Sequence, residues 1–423
     1  MVITYIDRSR MKAYKACPRL RFLEYHCQGT GIRLSKENIF LSTGSAIHQG
    51  IELLLRGESV YCFECGFNST LLQKGINCPI CEKDSKYIQL AIINDIDSCV
   101  KVATHEYTKL ISKKELELDK NENQLFVMQE QRALIEGLIR AFYIVHYPIL
   151  IDEYEVLDTE REIELELADG LVLMSRPDSV FRDKATQGLV VYSLKSSASW
   201  KTDTNELQNK YDDQGISELI TSEAFYGEEV EAILMNFVIK GQRMLMGEAE
   251  NKVKLQNSFI VHPYMLDGIG QQFSIKYTKA KGWKRVNIWE EMPVRDWIEI
   301  LEKDYFEELK GTVVNPYPYN RSTEDIKNWR EQNVYQELEI AKHLDELRQL
   351  EPSLPGIRES QLSYYQTLLN RYFPQTRNAC FSYGKTCQFV MHCWEGVRSD
   401  SVEYEARQAH HKPEQELFQI KLK

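Results

Sequence analysis

Residues 175–197 read SRPDSVFRDKATQGLVVYSLKSS, a pattern that predicts two strands with a turn between them. The strands are expected over Leu171 to Phe181 and over Leu189 to Ser196. Asp178 then lies on one strand and Lys195 on the next. A carboxylate can hold a hard cation that polarises a phosphate, and a lysine can steady the nucleophile. The pair therefore suits metal-assisted phosphodiester cleavage, although a turn aspartate and an exposed lysine are the plainer interpretation.

The segments on either side complete an α/β pattern. Residues 160–167 alternate glutamates with mostly apolar residues, as expected of a half-buried strand. A helix is predicted over about 204–226, and an apolar strand follows over Val230 to Ile239. Further helices are predicted over 7–27, 43–57, 86–114, 122–147 and most of 292–372, where Asp296 to Leu309 and Glu324 to Leu347 are the clearest parts.

Composition and charge limit the possible classes of protein. The chain has 423 residues, of which 43% are hydrophobic and 27% charged, and this balance excludes a wholly disordered protein. Its 52 basic and 63 acidic residues give a net charge of −11, which excludes a basic coat for nucleic acid but not a local basic groove. The sequence shows no secretory signal, and no stretch of the length a bilayer needs is free of charge, so we expect a cytoplasmic protein that contacts no membrane and keeps its thiols reduced.

Four of the ten cysteines form two CxxC pairs, Cys62 with Cys65 and Cys78 with Cys81, separated by twelve residues. Two such turns at this spacing can present four thiolates to one tetrahedral Zn²⁺. We therefore expect a zinc ribbon over residues 60–85.

Three more cysteines, Cys380, Cys387 and Cys393, lie close together near the C-terminus. Three thiolates at one site need a fourth ligand, either the neighbouring His392 or one of the remaining cysteines, Cys17, Cys27 and Cys99. Thiolates bind zinc and iron–sulfur clusters alike, so the spacing leaves both open.

Several short motifs occur in an order found in one nuclease family. They are Ser9-Arg-Met-x-x-Tyr14-x-x-Cys17-Pro-Arg19, Gly44-x-x-x-His48 followed by Glu52, Arg176-Pro-Asp178, Ser193-Leu-Lys195, and Gln214 on the next helix. This arrangement resembles the RecB-like branch of the PD-(D/E)xK nuclease superfamily, and it is similar to CRISPR-associated and AddB-type exonucleases. The resemblance covers the two ends of the chain and roughly residues 150–240.

The resemblance implies a restriction-endonuclease-like core, in which a mixed central sheet is flanked by helices. It also implies Mg²⁺ or Mn²⁺ at His48 and Asp178, with catalytic roles for Lys195 and Gln214. Its iron–sulfur members join one N-terminal cysteine to three C-terminal ones, which implies a 4Fe–4S cluster on Cys17, Cys380, Cys387 and Cys393. The implied organisation is a helical part (1–59), the zinc ribbon (60–85), a second helical part (86–150), the nuclease core (151–290) and a helical C-terminal region with the cluster cysteines (291–423).

One position departs from the family pattern, because Ser193 stands where the D/E-x-K motif has its acidic residue. The acid can have moved to a neighbouring element, for which the candidates are Asp212, Asp213, Glu218, Glu223, Glu160 and Glu162. Alternatively, the enzyme works with His48, Asp178, the Leu194 carbonyl and water, or the site does not cleave.

A basic and aromatic stretch is the clearest candidate for DNA contact, and its residues are Lys276, Lys279, Lys281, Trp283, Lys284 and Arg285. Phosphate pairing and base stacking on single strands use this combination of side chains, although a solvated hairpin with charged edges has the same composition. The chain has no helicase phosphate-binding motif of the GxxxxGK[ST] form, so any motor must come from a partner protein.

Three functions are compatible with these patterns. The first is a metal-dependent DNA nuclease, an exonuclease or end-processing enzyme, acting on single strands or duplex ends. The second is an inactive DNA-binding or structural subunit that retains the nuclease fold, and Ser193 is its main support. The third is a zinc-ribbon protein with an unrelated α/β domain.

Overall fold

The computed structural model describes residues 3–35, 39–57, 59–62, 68–69, 88–91, 96–115, 122–197, 212–239, 265–266, 272–278, 282–289, 313–350, 359–384, 386–399, 401–409, 411 and 413. Its α-helices are α1 (Arg8–Ala16), α2 (Pro18–Tyr25), α3 (Ile39–Arg56), α4 (Ile96–Glu115), α5 (Glu122–Val145), α6 (Tyr147–Glu153), α7 (Asp213–Tyr226), α8 (Thr323–Leu350), α9 (Glu359–Tyr372) and α10 (Val390–Glu395). Short 3₁₀ helices cover Cys27–Gly29 and Arg377–Gly384.

The strands in these ranges are β1 (Thr4–Ile6), β2 (Ile32–Leu34), β3 (Ser59–Cys62), β4 (Asn68–Ser69), β5 (Ile88–Ala91), β6 (Tyr154–Thr159), β7 (Ile163–Ala168), β8 (Leu171–Ser175), β9 (Ser179–Asp183), β10 (Leu189–Ser197), β11 (Val230–Ile239), β12 (Met265–Leu266), β13 (Gln272–Thr278), β14 (Gly282–Trp289), β15 (Val313–Tyr319) and β16 (Tyr404–Ala406).

The central sheet has five strands in the order β15-β11-β10-β9-β6. Strands β10 and β11 are parallel, whereas the other neighbours are antiparallel. The predicted α/β class with a mixed sheet is therefore confirmed. The sheet also extends beyond residue 290, because β15 pairs with β11 from a region that the sequence predicted to be mostly helical.

Helices cover both faces of this sheet. Alternate β10 residues Val190 and Tyr192 join a core made with α3, α4 and α5, whereas Leu189 and Val191 face α7 and Trp329. Side chains of a strand alternate between its two faces. Ser193 and Lys195 are thereby directed toward α7, and Leu194 toward α3.

The predicted strand over Leu171 to Phe181 is wrong as a single element. Strand β8 ends at Ser175 and pairs with β1 and β7, whereas β9 begins at Ser179 and pairs with β10 and β6. Pro177 lies between them, and a proline has no N–H for the ladder and restricts the residue before it. The resulting corner leaves Asp178 at the edge of the central sheet.

The predicted helix over 7–27 is likewise two helices. Cys17 has φ −161° and ψ 116°, so it interrupts the helix, and Pro18 is the first residue of α2. Proline is well suited to that position because its missing N–H would have no partner in the first turn. The chain therefore changes direction at Cys17, the N-terminal cysteine that is predicted to bind the cluster.

Other predicted elements shift or lie outside the described ranges. The expected helix over 86–114 is replaced at its start by β5, and α4 begins at Ile96. The helix expected over about 204–226 is described as α7 from Asp213 onward. The helix expected over Asp296 to Leu309 lies outside the described residues.

The two ends of the chain are packed together. Strand β16 pairs with β2, and Phe22, Ile32, Leu344, Phe373 and Phe389 belong to one buried apolar cluster. Each large side chain buried in this way contributes about 1.5–3 kcal/mol relative to an exposed one. The N-terminal helices thus pack against α8, α9 and α10 through this apolar cluster.

Leu134–Glu153 is long and apolar enough to cross a membrane, and among the described residues it is the one stretch that meets this test. It covers the end of α5 and all of α6. About two thirds of its most apolar window, 65%, is buried inside the protein, where Leu138 and Phe142 belong to the core with α3 and α4. Such burial is typical of a core helix in a soluble protein.

Candidate active site

Asp178 lies where β9 begins and where β10 continues past its last pairing with β9. The Leu194 amide donates a hydrogen bond of 2.6 Å to Asp178 Oδ2. On the other side, His48 Nδ1 of α3 is 3.6 Å from Asp178 Oδ1. The structure therefore brings His48 and Asp178 together, as the resemblance implied.

Asp178 is ionised despite its burial. Burial raises its pKa, but the nearby His48, the charge of Lys195 and the hydrogen bond from the Leu194 amide outweigh it and lower the pKa of Asp178 to about 2. Asp178 thus presents a fixed negative charge at the edge of the sheet.

Gln214, in the first turn of α7, connects the functional residues of β10. Its Oε1 accepts a hydrogen bond of 2.7 Å from Lys195 Nζ and another from Arg8 of α1. Its Nε2 lies 3.4 Å from Ser193 Oγ and also donates to Glu218. The structure therefore groups Ser193, Lys195 and Gln214 on the α7 side.

Arg8 fixes the position of Gln214 from outside the predicted site. It forms a two-pronged ion pair with Asp212, with N–O distances of 2.8 and 2.9 Å, and Asp212 caps the N-terminus of α7. Arg8 lies one residue before the Ser9-Arg-Met motif, so the motif did not identify it as a site residue.

The structure reduces the candidates for the missing acidic residue to two. Four of the six are engaged by other groups: Asp212 by Arg8, Asp213 by Lys15 and Trp329, Glu223 by the Val230 amide, and Glu162 by His411. Glu160 is paired with Arg176, but it and Glu218 are the two candidates whose pKa the charge of Asp178 raises, from different elements.

Glu160 is in the turn before β7 rather than in the predicted strand. Its φ is +49°, an uncommon conformation for a residue other than glycine, and its amide donates to the Asp178 carbonyl at 3.1 Å. Burial and the charge of Asp178 raise the pKa of Glu160 to about 8, although Arg176, 2.8 Å away, opposes this. Its carboxyl is thus already paired with a cation.

Glu218 lies one turn after Gln214 on α7 and is 3% exposed. Its Oε2 is buried and has no hydrogen-bond partner among the described residues. Burial raises the pKa of Glu218 to about 7, with Asp178 raising it further and Lys195 opposing. A buried carboxylate oxygen without a partner next to Ser193 is an available ligand for a cation.

Glu52 follows His48 by one helical turn, but in the part of the chain that the structure describes its carboxyl does not bond His48. Glu52 instead forms an ion pair with Arg56, and burial raises its pKa. It lines a small hollow together with His48, Glu160, Asp178 and Tyr192.

A larger cleft opens on the opposite side of the sheet edge, with a volume of about 400 Å³. We call it the α7 cleft, and its polar lining includes Arg8, Arg176, Gln214, Glu218 and His411. Its size and polarity suit a charged, extended ligand that approaches Gln214 from solvent.

The four cysteines assigned to a cluster, Cys17, Cys380, Cys387 and Cys393, line one pocket between α2 and the C-terminal helices, which we call the thiol pocket. Cys17 and Cys380 are buried, and Cys387 and Cys393 are half-buried. Cys27 lies outside this lining and is half-buried, and Cys99 is buried in the α3–α4 core. Of the alternatives left open by spacing, the structure thus places Cys17 with the C-terminal three.

Polar contacts around this pocket suit bound thiolates. The Thr376 amide donates to Cys17 Sγ at 3.3 Å, and the Trp394 indole N–H donates to Cys380 Sγ at 3.5 Å. Burial, with the neighbouring thiols, raises the pKa of Cys393 to about 11 against the charge of Arg19. Metal ligation would therefore displace a proton from this thiol.

The other local candidate, His392, is directed elsewhere, because its Nδ1 bonds the Val397 carbonyl at 2.7 Å. In the described ranges, no group of three or more His, Cys, Asp or Glu side chains is already arranged to hold a metal ion.

Half of the residues predicted for the zinc ribbon and for DNA contact lie outside the described residues. Cys62 ends β3 and is buried, and β3 pairs with β5 so that Cys62 lies opposite Ile88, whereas Cys65, Cys78 and Cys81 are not described. Lys279 and Lys281 are also outside. Strands β13 and β14 form a hairpin in which Lys276 lies opposite Lys284, Tyr277 opposite Trp283 and Ile275 opposite Arg285.

Comparison of the chain with models of known protein families found no matching family, and comparison with characterised proteins found no matching sequence.

Proposed function

We propose that the protein is a metal-dependent DNA nuclease of the RecB-like PD-(D/E)xK type, built on a restriction-endonuclease-like core. The observation that carries this proposal is the meeting of His48, Asp178, Lys195 and Gln214 at one edge of a mixed sheet. These residues span 166 positions of the sequence, from His48 to Gln214, and they come from α3, the corner before β9, β10 and α7.

His48 and Asp178 have the donor types that bind Mg²⁺ or Mn²⁺, and we assign Glu218 as the carboxylate that replaces the acid missing at Ser193. A bound Mg²⁺ or Mn²⁺ polarises the scissile phosphate and lowers the pKa of its water. The free oxygen of Glu218 and its contact with Gln214, which also bonds Ser193, support this assignment.

Lys195 stabilises negative charge on the reacting phosphate or orients the nucleophile. Gln214 holds its ammonium group at 2.7 Å and leaves the remaining two protons available to substrate. The α7 cleft is lined by Gln214, which bonds this ammonium group, and is the proposed route for a phosphate chain.

Cleavage of DNA tests the proposed function directly. Incubating end-labelled single-stranded and duplex DNA with the full-length protein and Mn²⁺ should give shortened products. The Asp178→Asn variant should give none, because it lacks the fixed negative charge that holds the cation. If both proteins shorten every substrate no more than a sample without protein does, the protein is not a nuclease.

Glu218→Gln should weaken Mn²⁺ binding by at least about tenfold, because it removes an uncompensated carboxylate from the site. Glu160→Gln is the matched control, since the Glu160 carboxyl is already paired with Arg176. Calorimetric titration with Mn²⁺ measures both variants. A larger loss in Glu160→Gln than in Glu218→Gln would transfer the ligand role to Glu160.

The thiol pocket supports a structural 4Fe–4S cluster on Cys17, Cys380, Cys387 and Cys393, fastening the two chain ends together. A zinc ion at these residues is the alternative, and a second zinc is proposed at Cys62, Cys65, Cys78 and Cys81. The apolar lining and the two N–H groups directed at sulfur are the features expected around cluster ligands.

Protein purified without oxygen should be brown and contain iron and sulfide. Cys393→Ser should lose most of the visible absorption, whereas Cys99→Ser, in the α3–α4 core, should keep it. A colourless native protein that contains zinc and no iron would exclude the cluster and leave the zinc site.

A non-cleaving DNA-binding or structural subunit is the second candidate function, and Ser193 is the observation that favours it. DNA, as single strands or duplex ends, is the proposed partner in both cases, with the β13–β14 hairpin as a contact. A separate helicase subunit and a cytoplasmic location complete the proposal.

A further inference from the structure

His411, close to the C-terminus, lies in the wall of the α7 cleft and is 8% exposed. Its Nε2 is 2.9 Å from Asp7 Oδ2, and its Nδ1 is 2.9 Å from Glu162 Oε1. Asp7 also caps α1 by accepting a hydrogen bond from the Arg10 amide, and Glu162 comes directly before β7. One ring thus joins three distant parts of the chain.

The two contacts determine how many protons these groups share. A neutral imidazole has one N–H donor and one acceptor nitrogen, whereas an ionised carboxylate only accepts. With both carboxylates ionised, two contacts of 2.9 Å are satisfied only when both ring nitrogens carry protons. The observed geometry therefore corresponds to a positively charged His411.

Other charged groups face the same region. Arg10 Nε is 3.3 Å from Asp7 Oδ2, so Asp7 retains a cationic neighbour when His411 loses its proton. Arg8, Arg176 and Glu218 line the rest of the cleft. Loss of the His411 charge consequently makes the wall more negative, and the change is greatest at Glu162.

We propose that protonated His411 is a positioning residue that neutralises Asp7 and Glu162 and holds the C-terminal segment against the α7 cleft, so that the cleft accepts a phosphate chain. This inference rests on the proposed function, because it takes DNA as the ligand. A ring that loses one of these protons can donate to only one of the two carboxylates, which weakens this contact and leaves an acidic wall that repels phosphate.

The test is the binding of a fluorescent single-stranded oligonucleotide to the full chain in EDTA, at constant ionic strength, between pH 6.0 and 8.5. For the native protein, affinity should fall by about fivefold or more across this range, the lower end of typical coupling between sites. His411→Gln should bind weakly at every pH, because its side chain carries no charge. Glu162→Gln should bind well even at high pH.

A His343→Gln variant, on α8, is the control for a general effect of removing a histidine and should keep the native profile. The inference is overturned if His411→Gln keeps the native dependence on pH, or if Glu162→Gln binds no better than native protein at pH 8.5. If His411→Gln does not fold, the result for Glu162→Gln still tests the inference.

Failure of the proposed function gives a different result. If the native protein binds no oligonucleotide at any pH, DNA is not the ligand. Hydrogen exchange then tests the contact of His411 with Asp7 and Glu162 without any ligand. The Arg407 amide, bonded to the Gly31 carbonyl at 2.8 Å, should lose protection as pH rises in native protein but not in His411→Gln. Protection factors that do not change with pH in the native protein would exclude the contact.

Discussion

Lys195→Ala lowers the rate of DNA cleavage by at least about 100-fold, the range for loss of one positioned electrostatic or proton-transfer group. Lys195 is the cationic group next to Asp178, and Gln214 holds its ammonium at 2.7 Å in a partly buried position. Alanine removes this charge and leaves nothing in its place. Single-turnover cleavage of labelled DNA with saturating Mn²⁺ measures the effect on the chemical step.

Lys184→Ala is the matched control, because Lys184 follows β9 at the opposite end of the same sheet. Its ammonium group is exposed and bonds the Ile151 carbonyl at 2.6 Å. This variant should cleave at the native rate. Equal rates for Lys195→Ala and the native protein would contradict the assignment of Lys195, even where cleavage itself is observed.

The fold could be predicted from the sequence where a hydrophobic period persisted over a whole element. The strands at Leu189 to Ser196 and Val230 to Ile239 are of this kind, and both are confirmed as β10 and β11. Breaks within an apparently continuous pattern were missed at Cys17 and Pro177. Both breaks involve a proline, whose backbone effect was a readable signal in the sequence.

The site could be predicted in part, because its motifs name residues without giving contacts between them. Asp178 and Lys195 follow from neighbouring strands, but the role of Glu218 depends on how α7 packs against β10. Arg8 and His411 depend on contacts between residues 204 and 404 positions apart, respectively. No local pattern reports such contacts, because they are set by the packing of whole elements.

The thiol pocket depends on the same kind of long-range packing, since Cys17 must be held against the C-terminal helices. A buried ion pair contributes to this attachment. Arg21 of α2 forms two hydrogen bonds of 2.7 Å with Glu337 of α8, and both side chains are fully buried. Arg21 Nε also donates to His26 at 3.3 Å. A charge buried in this way is stable only while its partner is present.

Arg21→Met should therefore lower the free energy of unfolding by about 3–5 kcal/mol, because it leaves the Glu337 carboxylate buried without its cation. Urea unfolding followed by circular dichroism measures this change. The control is Arg33→Met, which breaks the exposed pair between Arg33 and Glu405 and should cost less than about 1 kcal/mol.

Removing both charges separates the cost of an unpaired carboxylate from the value of the pair itself. In the double variant Arg21→Met, Glu337→Leu, no charge is left unpaired, so most of the lost stability should return. The thiol pocket should respond in parallel, with metal content falling in the single variant and recovering in the double one. A single variant as stable as the native protein would show that water or another group reaches Glu337, and the ion pair would then not explain how the chain ends are held together.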